Sequence, residues 1–327
     1  MRKPRIVSLI PSATEIVCAL GLHQRLVGRS HECDYPADVA TLPICSTPNL
    51  NPAKPSREVD LQVRDLVKNA LSVYEVDAER LEQLRPTHVV TQDQCAVCAV
   101  SVQEVQNALS SICNRDTQVV SVQPRDLQGI LDSIHEVGQA LEVPFKAEVL
   151  VTDLKARINA IYARTHELHD FPKVVCLEWL DPMMGGGHWV PELVRLAGGH
   201  DPLGVVGKNA PDLDWARLLE IDPDVLVIFP CGFDLERTRR EVATLVDTEN
   251  WPKLKAVQAG RVYLIDGHTY FNRPGPRIVD SLEILSEILH PGEFSFDHEG
   301  TGWIRMEAPV EDAPKSEAPA PEPESDS

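Results

Sequence analysis

The sequence predicts an α/β protein built as two α/β lobes joined by one long helix, with the ligand cleft between the lobes. Three observations lead there. Short apolar runs suited to buried strands alternate with amphipathic helical patterns in both halves of the chain. Between the halves, Phe145 to about His169 holds one helical pattern, with apolar positions at Val149, Leu150, Leu154, Ile158 and Ile161. A stretch from Phe171 to Gly199 runs from a strand through a glycine-rich loop into a helix, which places side chains at the carboxyl end of a sheet. Open α/β folds bind ligands there.

The elements follow in order. Arg5 to Ile10 is the first strand, and Ser12-Ala-Thr-Glu15 has the spacing of a capping box that opens a short helix ending at Gly21. Leu26 to Gly28 is a second strand, running into the polar segment His31 to Pro36. A proline-rich connection, Thr47 to Pro55, leads to a polar stretch around Arg57 to Asp65. Asp77 to Leu84 and Ser101 to Cys113 are helices, and Thr87 to Thr91 and Val119 to Val122 are strands. Asp126 to Leu141 is a helix, so residues 1–144 make the first lobe and 145–170 the connecting helix. The second lobe, 171–292, has strands at Lys173 to Leu177, Val225 to Phe229 and Val262 to Ile265. Its helices fall at Val190 to Ala197, Asp214 to Leu219, Leu235 to Leu245 and Gly275 to Leu289. Residues 293–306 form an extension anchored by Trp303. The tail 307–327 carries seven acids against Lys315, with five prolines and no aromatic residue, and is expected to be disordered.

A formal net charge of −19 argues against nucleic acid or an anionic membrane as partner. No apolar run is long enough to span a bilayer, and the N-terminus enters a strand without an apolar leader pattern. The expectation is a cytoplasmic protein, and eight cysteines agree with a reducing compartment.

The order of motifs resembles a known family. RIVSLIPSATEIVCALGL, LEQLRPTHVVTQ and LLEIDPDVLVIFPCG are similar to phrases of the cobalamin-binding proteins within the helix-backbone class of ABC-transporter substrate-binding proteins. The resemblance covers about residues 5 to 290 and is strongest to a branch with HECDYP, TQxxCxVCA and EWxDPxxxxGHWxPE-like phrases, all found here. Thr87 stands where the usual helix–xPD–strand phrase has Asp. The resemblance implies two lobes clamping a corrinoid, such as cobalamin, for salvage, storage or delivery to a corrinoid-processing or cobalamin-dependent protein. It implies no chemistry by the protein itself.

A corrin is a broad macrocycle edged with neutral amides, so its cleft should be mostly apolar and aromatic with a few convergent polar groups. On one wall the expected ligand-binding residues are Ser12, His31, Glu32, Cys33, Tyr35, Gln92, Cys95 and Cys98. On the other they are Glu178, Trp179, Asp181, His188, Trp189, Phe271 and Arg273, with Tyr270 as a further aromatic face. His31 and His188 are candidate cobalt ligands, since imidazole suits late transition metals. Arg273, near a helix start, is a candidate for a phosphate or propionate, whereas Arg277 is expected to pack along the helix. Cys95-Ala-Val-Cys98, with Cys33 or His31, has the makings of a zinc or thiolate site, which keeps open a metal- or thiol-dependent enzyme. A protein binding heme or another iron chelate is the third reading.

Overall fold

The computed structural model describes residues 3–69, 72–92, 102–111 and 117–306. The first lobe holds β1 (Ile6–Ser8), α1 (Pro11–Ala19), β2 (Leu26–Arg29), β3 (Ser46–Pro48), α2 (Ser56–Lys68), β4 (Tyr74–Val76), α3 (Ala78–Leu84), β5 (His88–Gln92), α4 (Val102–Ser111), β6 (Gln118–Val122) and α5 (Leu127–Ala140). Its main sheet is parallel, in the order β2-β1-β5-β6, and β3 pairs with β4 in a separate antiparallel ribbon. The connecting helix α6 spans Pro144–Thr165.

The second lobe contains β7 (Val174–Leu180), β8 (Met183–Gly185), α7 (Val190–Leu196), α8 (Trp215–Ile221), β9 (Val225–Ile228), α9 (Leu235–Glu241), α10 (Ala243–Val246), α11 (Lys255–Gln258), β10 (Val262–Ile265), α12 (Ile278–Leu289) and β11 (Trp303–Arg305). Its sheet runs β11-β10-β9-β7-β8; the middle three strands are parallel, and β8 and β11 close the two edges antiparallel. The edge strand β11 is the predicted extension. Its anchor is Trp303, which is buried and donates from Nε1 to Glu287 Oε2 at 2.8 Å.

Apolar residues explain the layering. The inner strands are buried on both faces, as parallel strands under helices must be. One core runs through both lobes, joining Ile6, Ile16 and Ile130 to Val174, Leu193 and Leu285. The buried stripe of α6, Ala147, Val151, Leu154, Ile158 and Ile161, lies within it. A separate apolar cluster fills the outer side of each lobe. At 22 residues α6 is about 33 Å long, enough to run the depth of both lobes. Arg157 fastens it to α12 through Asp280 and Glu283, both at 2.7 Å.

The helix–Pro–strand phrase repeats in structure as well as in sequence. In each lobe the helix ends on a left-handed residue, Arg85 or Asp222, before the proline. Asp224 then accepts a hydrogen bond from Lys173 N at 2.8 Å, pinning the start of the neighbouring strand. Thr87 does the same in the first lobe, its Oγ1 accepting from Arg5 N at 2.9 Å. Threonine therefore replaces aspartate without loss of the tie.

Four expectations change. The polar stretch at 57–65 is a helix, α2. The strand at 173–177 continues to Leu180 and turns back as β8. The span 235–245 divides into α9 and α10. The capping box is absent: α1 starts at Pro11 after Ile10, and among the described residues no side chain caps it and Ser12 Oγ has no partner. Glu15 is instead drawn to the second lobe.

Candidate ligand cleft between the lobes

Loops at the carboxyl ends of the strands in each lobe meet face to face. The segment after β2 meets the segment after β10: Asp34 Oδ2 is 2.7 Å from His268 Nε2, and Asp34 Oδ1 accepts from Arg273 Nη1 at 2.7 Å. Arg273 Nη1 also reaches Glu15 Oε1 at 3.2 Å. Arg277 holds the same carboxylate through Nη2 at 2.6 Å and Nε at 3.0 Å. Arg273 Nη2 lies 2.9 Å from His268 Nε2, so that nitrogen chooses between accepting from arginine and donating to Asp34. Burial pushes the Asp34 carboxyl up, but hydrogen bonds from His268 and Arg273 pull it well below the usual carboxylate range.

A second junction lies along the strap that precedes α2. Arg237 donates to Pro52 O and Lys54 O, each at 2.6 Å, with its guanidinium 3.6 Å from the centre of the Phe233 ring. Ser56 N donates to Glu241 at 3.2 Å, and Arg57 lies 3.7 Å from Asp181. A third lies at the start of α5, where Leu127 N donates to Glu192 Oε2 of α7 at 3.1 Å.

Between these junctions stand the predicted residues. Trp179, at the end of β7, is half-buried with its ring 5.3 Å from that of Phe233, and its Nε1 has no partner among the described residues. Glu178 Oε2 accepts from Gly187 N at 3.0 Å, which fixes the glycine loop. Gly187 is needed there, since a Cβ would stand 2.4 Å from Ala210 N. The next residue, His188, sits at φ +54°, a backbone position histidine visits seldom. Its Nδ1 is buried and has no partner among the described residues, and its ring stacks on Trp189 at 5.6 Å. Burial, then the charge of Arg125, lowers the His188 pKa, so the ring is neutral at pH 7 as a metal ligand must be. His31 has the same tendency: burial lowers its pKa, opposed by a hydrogen bond at Ser46 and assisted by Arg29. Its Nδ1 is tied to Ser46 Oγ at 3.1 Å and its ring leans on Tyr74, which leaves Nε2 as the nitrogen for a ligand, 4.0 Å from Glu32 Oε1.

Glu32 keeps 38% of its side-chain surface, yet desolvation raises its pKa against the opposing charges of His268 and Arg273. The two observations fit a carboxyl deep in a cleft that still admits water. Tyr35 is exposed and lies under the Arg277 guanidinium at 3.9 Å, while Gln92 is buried at the end of β5. Asp181 is partly exposed beside Arg57.

Several assignments are corrected. Cys33 does not line the cleft: it is fully buried in the first-lobe core, its Sγ between Thr14 Oγ1 at 3.0 Å and Ser30 Oγ at 3.1 Å. Burial raises its pKa, which disfavours the thiolate that zinc requires. Phe271 is a core residue stacked on Phe229 at 4.4 Å, with no face to offer. Trp189 is buried too, donating from Nε1 to Phe271 O at 2.7 Å, and supports His188 from behind. Arg273 is no open anion receptor, because Glu15 and Asp34 already occupy it, and Arg277 turns to Glu15 instead of lying along its helix. Ser12 is buried at the lobe junction under Gly275. Cys95 and Cys98 lie outside the described residues, and among those described no three His, Cys, Asp or Glu side chains converge to hold a metal.

Residues 6–269 match the model of the family described as periplasmic binding protein. The chain belongs to that family. The uncharacterized ABC transporter substrate-binding lipoprotein YvrC of Bacillus subtilis (strain 168) is 24% identical over 302 residues, covering 89% of this chain and 81% of the relative. Among solved structures, the periplasmic heme-binding protein RhuT from Roseiflexus sp. RS-1 superposes with a TM-score of 0.67 at 22% identity, covering 88% of this chain and 98% of that one. The periplasmic vitamin B12 binding protein BtuF of Vibrio cholerae gives a TM-score of 0.61 at 20% identity, covering 88% and 96%. These likenesses bear out the two-lobed α/β fold and the resemblance to this class of binding proteins. No helix among the described residues is long and apolar enough to cross a membrane.

Two participants escaped sequence reasoning. Arg237 stacks on Phe233 of the expected second wall, but it sits in a charged helix and declares itself only by reaching residues 52–54 of the other lobe. Arg125 precedes the Asp126 cap of α5 and looks like an ordinary surface arginine in the sequence.

Proposed function

We propose that this chain is a cytoplasmic corrinoid-binding protein that clamps cobalamin or a related corrinoid between its lobes for salvage, storage or delivery. The observation that carries the reading is the charge pattern of the cleft. The second-lobe arginines facing it, Arg237, Arg273 and Arg277, are all committed to partners at the lobe junctions. The carboxylates Glu32 and Asp181 remain partly exposed. Acceptor oxygens beside Trp179 and a neutral His188 suit a macrocycle edged with amides and carrying a metal at its centre. Heme brings two propionates, which these three committed arginines are not free to receive. The second reading, heme or another iron chelate, draws on the likeness to RhuT, whose name states that it binds heme.

Titration of the purified protein with hydroxocobalamin and, separately, with hemin distinguishes them. The expected result is a saturable shift of the corrin absorption bands with a matching heat of binding, and weaker association of hemin. A Soret shift with hemin and neither spectral change nor heat with hydroxocobalamin would sink the corrinoid reading. Cell fractionation with an antibody to the chain tests the compartment.

A further inference from the structure

The turn between β6 and α5, residues 123–126, lies at the carboxyl end of the first-lobe sheet, on the cleft side. It is fixed there from both directions. Asp126 caps α5 by accepting from Gly129 N at 2.8 Å, and Leu127 N reaches across to Glu192 Oε2 at 3.1 Å. Glu192 opens α7, four residues after His188, so one junction brings Arg125 and His188 together from opposite lobes. Arg125 is exposed and makes no hydrogen bond or ion pair with any described residue. The nearby acids are already engaged: Asp126 and Glu192 both accept from backbone amides at the N-terminus of α5, where the helix dipole favours them. Arg125 is thus a cation at the cleft edge whose fork of donors is unused by the described residues.

We propose that Arg125 recognises the anionic group of the bound molecule, and that this group is the phosphate diester of a corrinoid nucleotide loop. The proposal rests on the corrinoid reading and deepens it. One uncommitted arginine at the rim matches a ligand that is otherwise neutral at its edges and carries one phosphate.

Isothermal titration of the wild type, Arg125→Gln and Arg125→Lys with cyanocobalamin and with dicyanocobinamide, which lacks the nucleotide loop and its phosphate, tests the assignment. Arg125→Gln is expected to weaken cyanocobalamin about tenfold, the scale of one charge-assisted hydrogen bond, and to leave dicyanocobinamide unchanged. Arg125→Lys should keep part of the cyanocobalamin affinity, since it restores the charge without the planar fork. Raised salt should weaken cyanocobalamin binding to the wild type more than to Arg125→Gln. Because Arg125 is exposed and unpaired, the circular dichroism spectrum and melting temperature of the variants should match the wild type. Equal loss for both ligands, or no loss for either, overturns the phosphate assignment while the corrinoid reading stands. A wild type that binds neither corrinoid removes the reading itself, and the assignment with it.

Discussion

Glu15→Gln is the most informative single change, because it tests whether a helix-opening glutamate serves its own helix or the opposite lobe. The carboxylate is 2% exposed and receives three hydrogen bonds from two arginines that are 5% and 14% exposed. The glutamine keeps the volume and loses the charge, and one of its ends becomes an amide donor facing a guanidinium. Removing one member of a buried ion pair costs about 3–5 kcal/mol. The lower end applies here, since Arg273 retains Asp34 at 2.7 Å and Arg277 retains the face of Tyr35 at 3.9 Å. A loss of about 3 kcal/mol corresponds to a fall in melting temperature of roughly 4–5 °C for a chain of 327 residues. Urea titrations followed by tryptophan fluorescence and far-UV circular dichroism measure it. Were Glu15 only a capping residue, the cost would stay near 1 kcal/mol. A loss of that size, or no loss, refutes the argument that the residue is buried against the second lobe. Glu15→Met combined with Arg277→Met should recover part of the loss, because an apolar pair of similar volume removes both stranded charges.

Three other outcomes follow from the geometry. Thr87→Asp should fold with near wild-type stability, and Thr87→Val should lose about 1–2 kcal/mol as Arg5 N is left without its acceptor; the urea midpoints of the two variants decide it. His298 Nε2 donates to Glu283 Oε2 at 3.1 Å, and that bond raises its pKa against the effect of burial. A raised histidine stabilises fully below its unfolded value of about 6.5 and loses that contribution as pH climbs through the folded value. The urea midpoint of the wild type should therefore fall relative to His298→Gln as pH rises above neutrality, and parallel profiles would contradict it. Under native conditions iodoacetamide should modify the exposed Cys231 and spare Cys33, whose thiol burial pushes up. Peptide mapping by mass spectrometry reads both, and rapid labelling of Cys33 would return it to the cleft wall.

Periodicity made the local part of this fold legible. The spine was readable because apolar residues recur along 145–161 without a breaker, and the boundaries at Pro144 and Thr165 lie within a few residues of the pattern. The inner strands were legible for the same reason, being short, apolar and flanked by proline or glycine. Helix α2 was not. Val59, Val63 and Leu66 do recur at helical spacing, but they lie in a charged stretch behind a proline-rich strap, and the polarity hid the stripe. Strand β8 was hidden by Pro182 and by the glycines that allow its close approach. The positions of the site loops were legible through fold logic, and the His31–Tyr35 and Glu178–Trp189 segments do stand on opposing lobes. What each side chain does there was not. Cys33, Phe271 and Arg273 are typical site residues by type, yet two of them face inward and the third is held by acids more than two hundred positions away. Sequence spacing carries no information about such partners.

The chain passes from one lobe to the other only once among the described residues, through α6, yet the lobes share a core and bury Glu15 against Arg273 and Arg277. Their contact therefore has the character of a heterodimer interface whose two subunits happen to be fused. Either lobe expressed alone would carry stranded ionised groups and half of a hydrophobic core, so neither is a portable module. Two fragments divided in the connection between α6 and β7 would retain everything needed to find each other. Their reassembly, strengthened by whatever bridges the cleft, would turn ligand binding into an association that can be read as a change in size.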